Sequence, residues 1–288
     1  MFAQPELPLR PMTLGELLDA AMALLRRRAL PILLASAVLA TAEQLLLAPA
    51  RRAAFLTPPF YGPAEEHIGA WWTVVAAGFG TELVIVTLLG ALAGTAAGPA
   101  LLGREVRDRD LWRHTRPVAT VFLALTLGST GAVGAFLGLV PWMLVFGLFG
   151  LTAPALVIDR ARNPLGRSAG LSVRAGMRGF WILQAAYLTW FCVRFALGAG
   201  WTQLAAFVTG AEPSRVWWLG PLSWGLANTV AYAALACVSA ALLLDVRVRT
   251  EALDIAISRI RSRGGDEAAA LSQPAAENPR RRPMEHAP

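Results

Sequence analysis

The chain has no lysine, three histidines and two cysteines in 288 residues, and only 16% of its residues are charged. Each scarcity excludes something. Cys192 and Cys237 lie inside apolar runs without CxxC spacing or a neighbouring histidine, so neither a disulfide framework nor a zinc site is supported. No P-loop, dinucleotide fingerprint, HExxH or GxSxG string occurs, so the ordinary enzyme signatures are missing and no cofactor or metal is implied. Charge is too sparse for a soluble domain: 56% of the residues are apolar and the mean hydropathy is +0.51. What the sequence has instead is uninterrupted apolar runs of roughly 20 residues, the length that crosses a hydrocarbon core about 30 Å thick at about 1.5 Å per residue.

Six such runs occupy 29–47, 72–92, 118–137, 139–158, 180–200 and 221–244. The stretch 118–158 holds no charge over 41 residues, too long for one helix, so a tight hairpin is expected near Gly134, Gly138 and Pro141. The fifth run can extend to Val208. The expected class is all-α: a polytopic membrane protein with six transmembrane helices and amphipathic helices before spans one, three and five. Its parts would be an amphipathic segment (1–28), a six-helix membrane domain (29–250), a short helix (251–263) and a disordered tail (264–288) rich in Ala, Pro, Glu and Arg. Ala48-Pro49-Ala50 has the small-x-small pattern of a cleavage site, yet the run from Ala29 is longer than a signal-peptide core and reads as a retained span.

All 26 basic residues are arginine. Four lie in the N-terminal segment, five in 93–117, five in 159–179 and eight in the C-terminal tail, whereas the alternate loops carry only Arg51, Arg52 and Arg215. The positive-inside rule then places both termini in the cytoplasm, with the chain expected in the plasma membrane. The same loops account for a pI near 10.8 without nucleic acid as a partner.

Ahead of the first span, Leu14, Leu17, Leu18, Ala21, Leu24 and Leu25 form one helical stripe, with Glu16, Asp19 and Arg26 off it. This helix is expected to lie along the membrane surface, either as a lipid-binding element or as an elbow into the span. Similar segments, "GREVRDRDLWRHTRP" and "NPLGRSAGLSVRAGMRGFW", precede spans three and five. Together with "PLRPMTLGELLDAAMALLRRR" and the block Asp245-Val-Arg-Val-Arg-x-Glu251, they resemble bacterial polytopic proteins related to the membrane domain of glycerophosphoryl diester phosphodiesterase. The resemblance spans most of 8–257. It implies a six-helix membrane domain and carries over no catalytic residue.

Ionisable residues within spans are costly unless paired or wetted, and there are three: Glu43, Glu82 and Arg194. Helical rise puts them about 6, 15 and 9 Å from the outer end of their spans. Arg194, lying between the glutamates in depth, is expected to bridge both with its forked donors. The cluster would either line an outward-open cavity for a polar or zwitterionic ligand or lock helices together. Arg113, His114 and Arg116 are candidates for phosphate or headgroup contact at the cytoplasmic surface, and Glu65, Glu66 and His67 form a short acidic and imidazole run in the first outer loop. Gly90, Gly94 and Gly98 allow close helix approach, either internally or in a homodimer. Tryptophans 71, 72, 201, 217 and 218 mark one interface, and Trp112 and Trp181 the other.

From these features the favoured reading is a non-enzymatic envelope or lipid-associated membrane module, or a complex subunit, with membrane lipids and a protein partner. The alternative is a transporter or permease component for a small polar or lipid-like solute, which requires a cavity reaching the three intramembrane charges. A lipid-phosphate enzyme would require His114, Asp108 or Asp110, and Arg113 to converge on a cleft.

Overall fold

The computed structural model describes residues 8–63, 65–104, 106–210 and 218–272. Arg215, Trp217, His286 and the tail beyond Ser272 lie outside the described residues. The order is α1 (Leu14–Arg27), α2 (Ala29–Ala53), a 3₁₀ turn (Glu65–His67), α3 (Ile68–Leu101), α4 (Asp108–His114), α5 (Pro117–Leu137), α6 (Leu139–Phe149), α7 (Thr152–Val157), α8 (Pro164–Thr209), α9 (Leu219–Glu251), α10 (Leu253–Ser262) and α11 (Glu267–Ser272). Six stretches are long and apolar enough to cross a bilayer: α2, α3, α5, α6 with α7, α8 from Gly176 onward, and α9. The chain is an all-α, multi-pass membrane protein.

The hairpin turns at Gly138, whose φ of 135° is open only to glycine, and Gly134 lets the returning backbone of Trp142 come close. In α8, Gly176 and Met177 both take positive φ, 69° and 61°, and this break separates an amphipathic first part from the span. That first part is capped by the Asn163 side chain, which accepts from the Gly166 N–H at 3.0 Å, with Pro164 at the first helical position. The span itself runs on to Thr209.

The axis of the bundle is α9. Of its most apolar window 89% is buried, against 33% for α2, because Ala231–Ala241 alternates small residues around the whole helix and lets α2, α3 and α8 approach from different sides.

The α1 stripe does not lie on lipid. Leu17, Ala21 and Leu24 are buried, with α9 as the helix they chiefly meet, and only Leu14 of the stripe is exposed. The helix begins with a capping box in which Thr13 Oγ1 accepts from the Glu16 N–H at 3.3 Å and Glu16 Oε2 accepts from the Thr13 N–H at 2.8 Å. Hydrogen bonds from Arg10 and Thr13 hold the Glu16 carboxyl down at about 2. A second correction concerns the tail: residues 267–272, expected to be disordered, form α11, with Ala270 and Leu271 buried.

Gly90, Gly94 and Gly98 pack inside the protein, where Pro154 and Ile158 of the α7 segment and Leu271 would meet an added Cβ. The tightest approach is elsewhere. A Cβ on Gly128 would stand 2.9 Å from the Gly80 carbonyl, and one on Gly80 2.9 Å from the Gly128 carbonyl, so α3 and α5 touch backbone to backbone. Gly128→Ala is expected to force the helices apart and destabilise by about 1–3 kcal/mol. Gly200→Ala, with open space around it, should leave the thermal unfolding midpoint unchanged or raise it. Equal midpoints for the two variants would refute the close approach.

Candidate functional site

Four helices bring the intramembrane charges together, as the sequence led one to expect, but the pairing differs. Arg194 Nη1 on α8 lies 2.8 Å from Glu82 Oε1 on α3, an ion-pair contact off the line of a hydrogen bond. Its Nη2 donates to the Tyr187 hydroxyl at 2.8 Å, and that hydroxyl donates to Glu82 Oε2 at 3.0 Å. Arg194 therefore does not fork across two carboxylates, because its second nitrogen is engaged by Tyr187. Its guanidinium also rests over the rings of Phe191, Tyr187 and Tyr232, at 5.1, 5.5 and 5.8 Å from their centres.

Glu43 on α2 is held by neutral donors alone. Tyr232 donates to Oε2 at 2.8 Å, Asn228 Nδ2 to the same oxygen at 2.9 Å, and Thr81 Oγ1 lies 3.0 Å from Oε1. Among the described residues no basic side chain comes within ion-pairing distance of it. Glu43, Glu82 and Arg194 are 5%, 3% and 8% exposed, so all three are withdrawn from bulk solvent and lipid. The link between the two glutamates is Tyr232, whose hydroxyl binds Glu43 while its ring lies under Arg194.

These residues line one cavity of about 290 Å³. Glu43, Glu82 and Tyr232 are at its deep end, while Arg51, Phe60, Tyr61 and Trp71 surround it toward the α2–α3 connection. That connection is held down by Trp224, whose indole donates to the Pro59 carbonyl at 2.9 Å, and by Phe60 stacked on Phe195. No family model, curated protein or solved structure matches the chain. The site is therefore read from its own geometry.

Sequence reasoning missed Tyr187, Tyr232, Asn228 and Thr81, because neutral polar side chains do not stand out in apolar spans. A signal was present nonetheless. The chain has three tyrosines, and Tyr61, Tyr187 and Tyr232 all belong to this cavity or its ion pair.

The other candidates stay apart from it. Arg113, His114 and Arg116 are exposed at α4 and the start of α5, and His114 Nδ1 sits 2.6 Å from the Asp110 carbonyl. Asp108 Oδ1 accepts from Arg28 at 2.9 Å rather than turning to His114. His67 packs on the Phe55 ring at 4.7 Å, and among the described residues no three metal-ligating side chains cluster.

At the arginine-rich end a second polar assembly forms on the Asp245–Glu251 block. Asp245 accepts from the Met12 N–H at 2.8 Å and from Arg178 and Arg249 at 3.3 and 3.0 Å, which ties α1 to α8 and α9. Arg247, 1% exposed, donates to Asp159 Oδ1 and to the Leu271 carbonyl, both at 2.8 Å. Arg167 donates to Asp159 Oδ2 at 2.7 Å and to Glu251 Oε2 at 2.6 Å. This assembly joins the segments before α1, after α7 and after α10.

Proposed function

We propose that this chain is a membrane-embedded solute-binding protein, the transporter or permease component of an uptake or export system for a small polar solute. The observation that supports it is the cavity, whose wall holds both members of the ion pair together with Glu43. Orientation follows from the arginine loops: both termini in the cytoplasm of a bacterial cell, and the cavity rim near Tyr61 and Trp71 facing outside. Of the amphipathic segments that favoured the scaffold reading, the first has its apolar stripe buried against protein. The resemblance to the glycerophosphoryl diester phosphodiesterase membrane domain supplies no site residue, so this reading rests on the cavity alone.

Gly78 provides the test. It lines the cavity, and a Cβ there meets only Leu47 Cδ1 at 3.8 Å, so Gly78→Cys should fold. With Cys192 and Cys237 replaced by alanine, Gly78→Cys is expected to react in intact cells with a membrane-impermeant thiol reagent. Exposed Ile255→Cys should react only after permeabilisation, and buried Ala240→Cys not at all. If Gly78→Cys stays silent while exposed Glu66→Cys labels, the cavity is closed to water and the proposal fails.

A further inference from the structure

Four charged side chains line the cavity, and two of them, Glu82 and Arg194, are matched to each other. The other two are not. Arg51 donates to the Gln44 side-chain oxygen at 2.6 Å and lies over the Tyr61 ring at 4.7 Å, both neutral partners. Among the described residues neither Arg51 nor Glu43 has an opposite charge within ion-pairing distance, and they do not pair with one another. The deep end thus holds one carboxyl without a basic partner and the rim one guanidinium without an acidic partner.

A third group points the same way. Asn228 is 5% exposed and spends its Nδ2 on Glu43, while its Oδ1 is buried without any partner and the residue forms part of the cavity wall. A buried acceptor of this kind is costly until a donor or cation reaches it. Beside it stand the rings of Phe195 and Trp224, centres 5.6 Å apart and set edge to face. Glu43 and Arg51 are eight residues apart on α2, about 12 Å of rise, and the Arg51 side chain folds back toward Gln44, which shortens the gap between the charges. The volume admits a small molecule or a headgroup and not a whole lipid.

We propose that the cavity takes a zwitterion, its ammonium end against Glu43 and Asn228 Oδ1 and its carboxylate or phosphate end at Arg51. This rests on the solute-binding reading above. Both a free amino-acid-like zwitterion and a lipid headgroup have this chemistry.

The test is equilibrium dialysis of the full chain in detergent with radiolabelled glycine betaine, competed by phosphocholine, choline and acetate. Glycine betaine is expected to bind, phosphocholine to compete, and choline and acetate to compete at least tenfold less well. Arg51→Gln, a change at the rim, should weaken glycine betaine at least tenfold and remove its preference over choline. Glu43→Gln should weaken it as much, and Arg51→Gln keeps the test valid if the Glu43 variant does not fold. If phosphocholine binds and glycine betaine does not, the zwitterion is a lipid headgroup, and phosphatidylcholine vesicles should then protect Gly78→Cys from labelling. Choline binding as tightly as glycine betaine, or no binding by either zwitterion, overturns the proposal. In that event labelling of Gly78→Cys would still uphold the solute-binding reading, and silence there would remove both.

Discussion

Replacing Arg194 by methionine is expected to destabilise the protein by about 3–5 kcal/mol, the usual result of leaving one partner of a buried ion pair without the other. The variant would strand Glu82, 3% exposed, with the Tyr187 hydroxyl as its remaining hydrogen-bond donor. It would also remove the cation from over three aromatic rings. Glu82→Leu alone should cost a similar amount by stranding Arg194. The double variant Glu82→Leu with Arg194→Met should recover most of the loss, because neither charge is then left behind. Unfolding in mixed detergent micelles measures the cycle. Additive single effects would show that the two side chains do not act as a pair.

The second large effect lies at the opposite end. Arg247→Ala removes a buried guanidinium that holds Asp159 and the carbonyls of Ala270 and Leu271, and an effect of about 3–5 kcal/mol is expected, since buried Asp159 keeps only Arg167 and the two carbonyls lose their donor. Residues 253–272 should become sensitive to protease in the same variant, since the carbonyl contacts anchor α11. The deficit should also depend on pH. Burial pushes the Asp159 carboxyl above its usual range, against the opposing pull of Arg247 and Arg167. With the folded value raised, the neutral form favours the folded state: that contribution is full below the ordinary carboxylate value of about 4 and is lost as pH rises through the folded value. Loss of Arg247 raises the folded value further, so the variant's deficit should narrow on acidification from neutral pH. A deficit independent of pH would exclude Asp159 as its source.

How much of this was legible in the sequence differs from element to element. The hairpin at Gly138 was readable, because an uncharged stretch of twice the span length has to turn and only glycine takes its φ of 135°. That Glu43, Glu82 and Arg194 gather in one cluster was readable from their positions along their spans. Their pairing was not. Tyr187 reaches Glu82 across 105 residues and Tyr232 reaches Glu43 across 189, and which side chain meets which depends on how each helix is rotated about its axis. The α1 stripe shows the same limit: a period of 3.6 states that one face is apolar and is silent on whether lipid or α9 covers it.

By itself, then, the sequence determined the all-α class, the six spans and the few charges that must be sheltered within them. These are set by hydrophobicity, length and helical period, all local properties of the chain. Only the tertiary structure decided that α9 is the buried axis, that Gly80 and Gly128 meet, that Arg194 is taken by Glu82 while Glu43 is left to neutral donors, and that Arg247 clasps α11. Each of those outcomes depends on contacts between residues far apart in the chain, and packing settles them once every helix has found its rotation and depth against the others.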